Sequence, residues 1–242
     1  LILMPMSEAD IARFSVDFPG GARIDVHLFD LDRIDSLEDS LILETERVRA
    51  VRFHKAEDGR RFLARRVALR RLLGERSGRD PLELDSVPDE FGRPRVEGIG
   101  ALGFNTSRTG SLFAVALLEG SDPGLQPGVD IEMDRSISDA NSVGRRILSQ
   151  SERDVLGPDH LMDTSQLLRI WTRKEAVLKA VGRGLAIDPS LITVPCQREA
   201  SKGLDTVEVP LEGAPCAVLL QDPVDEAIPE GLLLAVALAT GV

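Results

Sequence analysis

An α+β fold built as a pseudo-twofold pair of similar α/β subdomains is what this sequence predicts, and three observations carry it. Stretches with strand alternation recur between stretches with helical apolar spacing. Residues 61–74 align without gaps on residues 169–182, keeping basic residues at Arg65/Arg173, Arg66/Lys174 and Arg71/Lys179. Residues 112–120, Leu-Phe-Ala-Val-Ala-Leu-Leu-Glu-Gly, resemble residues 233–241, Leu-Leu-Ala-Val-Ala-Leu-Ala-Thr-Gly. Amphipathic helices also resemble one another by chance, but two matches at similar offsets point to two related halves, and a cleft between halves is a natural ligand site.

Taken in order, residues 7–20 carry no clear period. Residues 23–30 alternate, with Ile24, Val26 and Leu28 on one face of a strand. Residues 35–43 start a short helix, and 44–55 continue as helix with Val48, Val51 and Phe53 inward. Residues 59–73 give the clearest helix of the first half. Phe62, Leu63, Ala64, Val67, Leu69, Leu72 and Leu73 form its apolar stripe, and Gly74 is the expected stop. Arg60, Arg61, Arg65, Arg66, Arg70 and Arg71 cover the rest. Most read as a solvated face, while a few near the helix start could take phosphate.

Residues 78–100 are punctuated by Pro and Gly, so turns dominate, and Gly92-Arg93-Pro94 sets a cation on a tight turn. Residues 102–107 and 112–118 read as strands joined at Arg108-Thr109-Gly110, 120–127 as a linker, and 129–133 as a strand. Residues 138–148, 151–156 and 165–181 read as helices, with Gly182 and Gly184 ending the last. Residues 192–195, 206–209 and 217–220 are strand candidates, and the apolar run 232–239 is a strand buried on both faces.

At 242 residues the chain is long enough to bury a core without metal or disulfide staples. Its formal net charge of −11 argues against a general nucleic-acid binder but permits a local basic groove. Arg and Lys crowd positions 47–79. Cys196 and Cys216 form no zinc motif, and a reducing compartment is expected. The opening six residues are too short for a signal sequence, and 232–239 is too short to span a bilayer. A soluble, cytoplasmic monomer, bound to neither nucleic acid nor membrane, is the expectation.

In Gly128-Val-Asp-Ile-Glu-Met the strand period puts Val129, Ile131 and Met133 on one face and Asp130 with Glu132 on the other. Paired carboxylates repel unless a cation neutralises them, so they read either as a Mg²⁺ site or as one solvated face, which Asp134 extends. Downstream, Glu175 and Lys179 share a helix face. Thr172-Arg-Lys-Glu175 is also a capping box, so Glu175 reads equally as a capping residue and Lys179 as its salt-bridge partner. Lys174 lies between Ile170 and Val181 at helical spacing, consistent with snorkelling or with a phosphate partner. His27, His54 and His160 make no metal triad, His27 reading as structural, and no Gly-rich loop has nucleotide-binding spacing.

The two acidic stretches together, Gly128-Val-Asp-Ile-Glu132 and Trp171-Thr-Arg-Lys-Glu-Ala-Val-Leu-Lys179, resemble the paired signature of the 4'-phosphopantetheinyl transferase superfamily, in its Sfp-type branch. Residues 52–61, Gly92-Arg93-Pro94, Phe104-Asn-Thr-Ser107 and residues 182–185 resemble further family segments. The resemblance implies transfer of the phosphopantetheine arm of coenzyme A onto a serine of an apo acyl or peptidyl carrier protein, leaving 3',5'-ADP. It implies two halves, 1–120 on the adenine and 3'-phosphate side and 121–242 on the metal and catalytic side. Carried over residue by residue, Asp130, Glu132 and Glu175 would hold Mg²⁺ with the pyrophosphate, with Asp130, Glu175 and Lys179 catalytic. Glu175 would act as ligand only, or as ligand and base for the serine. Lys179 and Lys174 would contact phosphate, while Arg49, Arg61 and Arg93 would grip the 3'-phosphate and adenine end. Arg108 stands where the family usually has His, keeping a cation but losing any protonation role. The rival readings are a silent carrier-binding homologue and an unrelated metal-binding module; Mn²⁺ in place of Mg²⁺ is open.

Overall fold

The computed structural model describes residues 9–34, 37–120, 122, 124–157, 163–196 and 203–241. The expectations for residues 1–8, for Asp35 and Ser36, and for His160 lie outside the described residues. The first half opens with β1 (Asp10–Asp17) and β2 (Arg23–Asp30), followed by α1 (Glu44–Ala50) and α2 (Ala56–Ser77). A minor hairpin of β3 (Val87–Pro88) and β4 (Pro94–Arg95) precedes β5 (Leu102–Thr109) and β6 (Leu112–Glu119). The second half runs β7 (Leu125–Met133), α3 (Ala140–Ile147), α4 (Gln150–Leu156), α5 (Thr164–Ala180), β8 (Asp205–Val209), β9 (Cys216–Gln221) and β10 (Leu232–Thr240).

Two four-stranded antiparallel sheets result, ordered β1-β2-β6-β5 and β7-β10-β9-β8. In each, the strand before the long helix (β2, β7) pairs with the last strand of its half (β6, β10), so the two sequence repeats fall on equivalent elements. The inner faces share one core, in which Ile24, Val26, Leu28, Ala114 and Ala116 meet Val129, Ile131, Leu234, Val236 and Leu238. Each outer face carries a helix. Ala64, Leu69, Leu72 and Leu73 of α2 pack on Phe29, Phe113, Val115 and Leu117, and α5 packs on Val218, Leu220, Ala235 and Ala237. β10 is therefore covered on both sides, as its unbroken apolar run predicts.

Where the structure departs from the sequence reading, tertiary contacts are the reason. α1 stops at Ala50, and Val48, Val51 and Phe53 are exposed. α2 passes so close that a Cβ on Gly59 would lie 2.5 Å from the Ala50 carbonyl oxygen, so the chain must turn between the helices. α1 docks instead through buried Glu46, which pairs with Arg66 and with Arg70, at 2.8 Å for the latter. α2 runs past Gly74, which packs against Pro81, and ends at Gly78 with φ +69°. The helix expected from 35–43 is, where described, a single 3-10 turn at Asp39–Leu41. β5 extends through Thr109, leaving Gly110-Ser111 as the turn. β7 begins inside the expected linker, and its edge position tolerates Pro127. Residues 192–195 are not a strand, because their backbone groups bond to buried side chains: Ile192 C=O accepts from Lys174, and Val194 N–H donates to Glu152.

Candidate active site

The edge strands β5 and β7 lie side by side, and a cleft of about 480 Å³ opens there between α2 and α5. Arg65, Thr106, Ser107, Arg108 and Phe113 of the first half line it, with Asp130, Glu132, Trp171, Glu175 and Lys179 of the second. Gly128, Asp130 and Glu132 point to the same side of β7, toward α5. A Cβ at Gly128 would lie 2.1 Å from the Ala176 carbonyl oxygen, so glycine there lets α5 seat directly on the strand. That close approach brings Glu175 and Lys179 beside the two strand carboxylates.

Asp130 is buried, and its Oδ1 accepts from Ser107 Oγ at 2.6 Å and Lys179 Nζ at 2.7 Å. Among the described residues its Oδ2 has no hydrogen-bond partner, nor does the buried Oε1 of Glu175. Glu132 accepts from Thr109 Oγ1 at 3.1 Å. All three carboxyls are pushed above their ordinary values. Burial dominates in each, Lys179 opposes it, and the neighbouring carboxylates add to it for Glu132 and Glu175. Glu175 reaches about 7. Two orphaned oxygens among three mutually repelling carboxylates fit a hard divalent cation. Among the described residues no three or more His, Cys, Asp or Glu side chains form a ready metal cage. A Mg²⁺ ion held by few carboxylates and completed by substrate phosphate oxygens needs none.

The capping-box reading of Glu175 falls. α5 starts at Thr164, capped by Asp163, and Thr172 lies inside the helix with its hydroxyl on Leu168 C=O. Lys179 pairs with Asp130 rather than Glu175. Asp134 accepts from Ser165 outside the cleft lining, so it does not extend the acidic pair.

Lys174 does not line the cleft, against the expected phosphate contact. It is 0% exposed, with Nζ donating to Ile147, Pro189 and Ile192 carbonyl oxygens at 2.7, 2.9 and 2.7 Å and pairing with Glu152 at 2.7 Å. Its protons are committed, and it anchors α5 rather than a phosphate. Arg61 also stands outside the cleft lining, held by Asp32 and Glu57. Arg93 is buried against Gln126 and lines a separate cavity of about 280 Å³. Arg49 is exposed near Arg65, its guanidinium 5.0 Å from the Phe62 ring centroid. Arg108 lines the cleft.

The residue missed from sequence is Arg65. Among the described residues no carboxylate comes within ion-pair distance of it, and burial with Arg108, Arg66 and Arg49 nearby pushes it down to about 10. It remains charged at neutral pH, and a half-buried cation beside other cations calls for an anion. Seven arginines on α2 hid which of them faces the cleft.

A profile of the 4'-phosphopantetheinyl transferase superfamily matches residues 126–224. The chain is 35% identical to the 4'-phosphopantetheinyl transferase HetI of Nostoc sp. over 173 residues, 67% of this chain and 70% of the relative. It is 26% identical to the 4'-phosphopantetheinyl transferase Sfp of Bacillus subtilis over 181 residues, 74% of this chain and 76% of the relative. The fold and the cleft define a two-halved α+β protein with an acidic site at the seam. The chain belongs to the 4'-phosphopantetheinyl transferase superfamily, on the side of its Sfp-type branch.

Proposed function

We propose that this protein transfers the 4'-phosphopantetheine arm of coenzyme A to a serine hydroxyl of an apo acyl or peptidyl carrier protein, releasing 3',5'-ADP. The observation that supports this most is the meeting, in one cleft, of three carboxylates, two of them with an orphaned oxygen, with Arg108 and with Arg65, which has no carboxylate partner among the described residues. An acidic floor beside cationic walls suits a pyrophosphate together with a divalent cation. Asp130, Glu132 and Glu175 are the residues that would hold Mg²⁺. When bound, the ion would supply charge neutralisation and orientation of the pyrophosphate.

The remaining work falls to the chain's own side chains. Arg65 and Arg108, with Arg49 near Arg65, would bind coenzyme A phosphates as charge-assisted hydrogen-bond donors. The serine oxygen bonds to the phosphorus bearing the pantetheine arm while the bond from that phosphorus to the ADP oxygen breaks. Glu175, with one carboxyl oxygen unpartnered among the described residues, would take the serine proton directly or through water. Lys179 would stabilise charge building on the leaving group. The first half thus serves the adenine and 3'-phosphate end and the second the metal and the chemistry. The reaction as written calls for no nucleic acid and no membrane, and one chain supplies every group, so a cytoplasmic monomer is the form proposed. Among the described residues no helix is long and apolar enough to cross a membrane.

Glu175→Gln tests this reading. It keeps the shape and removes the basic oxygen, so kcat should fall about 10²–10⁴-fold with the circular dichroism spectrum unchanged. Near-normal turnover by the purified variant would remove Glu175 from the mechanism.

A further inference from the structure

Two hydroxyls tie the halves together at the acidic site, and the reaction as proposed does not use them. β5 and β7 are edge strands of different sheets. Ser107 Oγ donates to Asp130 Oδ1 at 2.6 Å and accepts from Ile131 N–H at 3.3 Å. Two residues on, Thr109 Oγ1 donates to Glu132 Oε2 at 3.1 Å and accepts from Met133 N–H at 3.4 Å. A hydroxyl has one proton and two acceptor lone pairs, which fits it to this double task. Strand period puts the two hydroxyls on one side of β5 and the two carboxylates on one side of β7, so a single register sets both contacts.

The consequence is directional. With Ser107 and Lys179 both on Oδ1, Asp130 is left with Oδ2 unpartnered among the described residues, and Thr109 fixes one oxygen of Glu132. A carboxylate in a strand otherwise has a broad terminal torsion. We propose that Ser107 and Thr109 are positioning residues that clamp Asp130 and Glu132 in the orientation a divalent cation requires. The proposal rests on reading those carboxylates as cation ligands. The hydroxyls come from the first half and the carboxylates from the second, so the clamp makes cation affinity a property of the seam.

Calorimetric titration of the full chain with MgCl₂, without coenzyme A, tests this, with emission of the cleft-lining Trp171 as a second readout. Ser107→Ala and Thr109→Val remove a hydroxyl, whereas Thr109→Ser keeps one. Groups that orient metal ligands typically contribute about 10–100-fold in metal affinity, so each hydroxyl-less variant should weaken Mg²⁺ binding about tenfold or more, with Thr109→Ser close to wild type. A hydroxyl that only satisfied β7 amides would change the melting temperature and leave Mg²⁺ affinity alone. Wild-type affinity in both hydroxyl-less variants overturns the clamp and leaves the cation site standing, as does a Thr109→Ser variant as weak as Thr109→Val. Absence of Mg²⁺ binding by the wild type overturns the cation site and the clamp together. Should Thr109→Val fail to fold, Ser107→Ala carries the same comparison.

Discussion

At Glu175, burial and the charges of Asp130 and Glu132 hold the carboxyl near 7, against an ordinary 4.5. Between those values the folded chain keeps a proton that the unfolded chain has released. Stability therefore falls as pH rises across that window, and the loss is complete above it. Thermal melts of the metal-free protein should show wild type losing ground to Glu175→Gln from about pH 4.5 to 7, and a constant gap would contradict the raised carboxyl. Arg65 gives the second prediction at this scale. Hydrogen bonds to charged groups contribute roughly 1.5–3 kcal/mol, so Arg65→Met should weaken coenzyme A binding about 10–100-fold by direct titration. Unchanged affinity would place the phosphates elsewhere. Of these residues, Asp130 and Glu132 were legible because strand period alone puts them on one side. Arg65 was not, because the rotation of α2 about its axis is set by packing on β2 and β6.

Among elements, α5 is positioned by contacts on two sides. On one, Gly128 lets it seat against β7. Gly128→Ala would force helix and strand apart, and overpacking of this kind costs about 1–3 kcal/mol. A fall in melting temperature of roughly 2–12 °C should follow, with loss of activity as Glu175 and Lys179 move from the strand carboxylates. An active variant with an unchanged melting temperature would contradict that tight seating. On the other side, Lys174 ties α5 to carbonyls of residues 147, 189 and 192 and to Glu152. Lys174→Met strands a buried carboxylate and should destabilise by about 3–5 kcal/mol in denaturant unfolding, while coenzyme A affinity of the folded fraction stays near wild type. A selective loss of coenzyme A binding would return Lys174 to the phosphates. The sequence placed Lys174 on an apolar stripe, but its partners lie up to 27 residues away in the chain, and no local pattern reports them. The capping reading of Thr172 failed similarly, since four residues matched a motif while the helix had begun eight residues earlier at Thr164.

For the whole molecule, a chain of net charge −11 gathers Arg65 and Arg108 on one wall of a cleft whose other wall is acidic. The repeat in the sequence announced the two-halved architecture, because equivalent helices and central strands keep equivalent apolar spacing. A site in the cleft between the halves was expected from that repeat, but the contacts that form the seam were beyond sequence reach. The seam depends on β5 and β7 meeting as edges, and on Ser107 and Thr109 taking up β7 amides. The central claim is that this seam performs phosphopantetheinyl transfer, and intact-protein mass spectrometry of an apo carrier protein tests it most directly. After incubation with the protein, coenzyme A and Mg²⁺, the carrier should gain the mass of one phosphopantetheinyl group, lost when its acceptor serine is replaced by alanine. No mass gain on any of a panel of acyl and peptidyl carriers, together with no coenzyme A binding, would contradict the account.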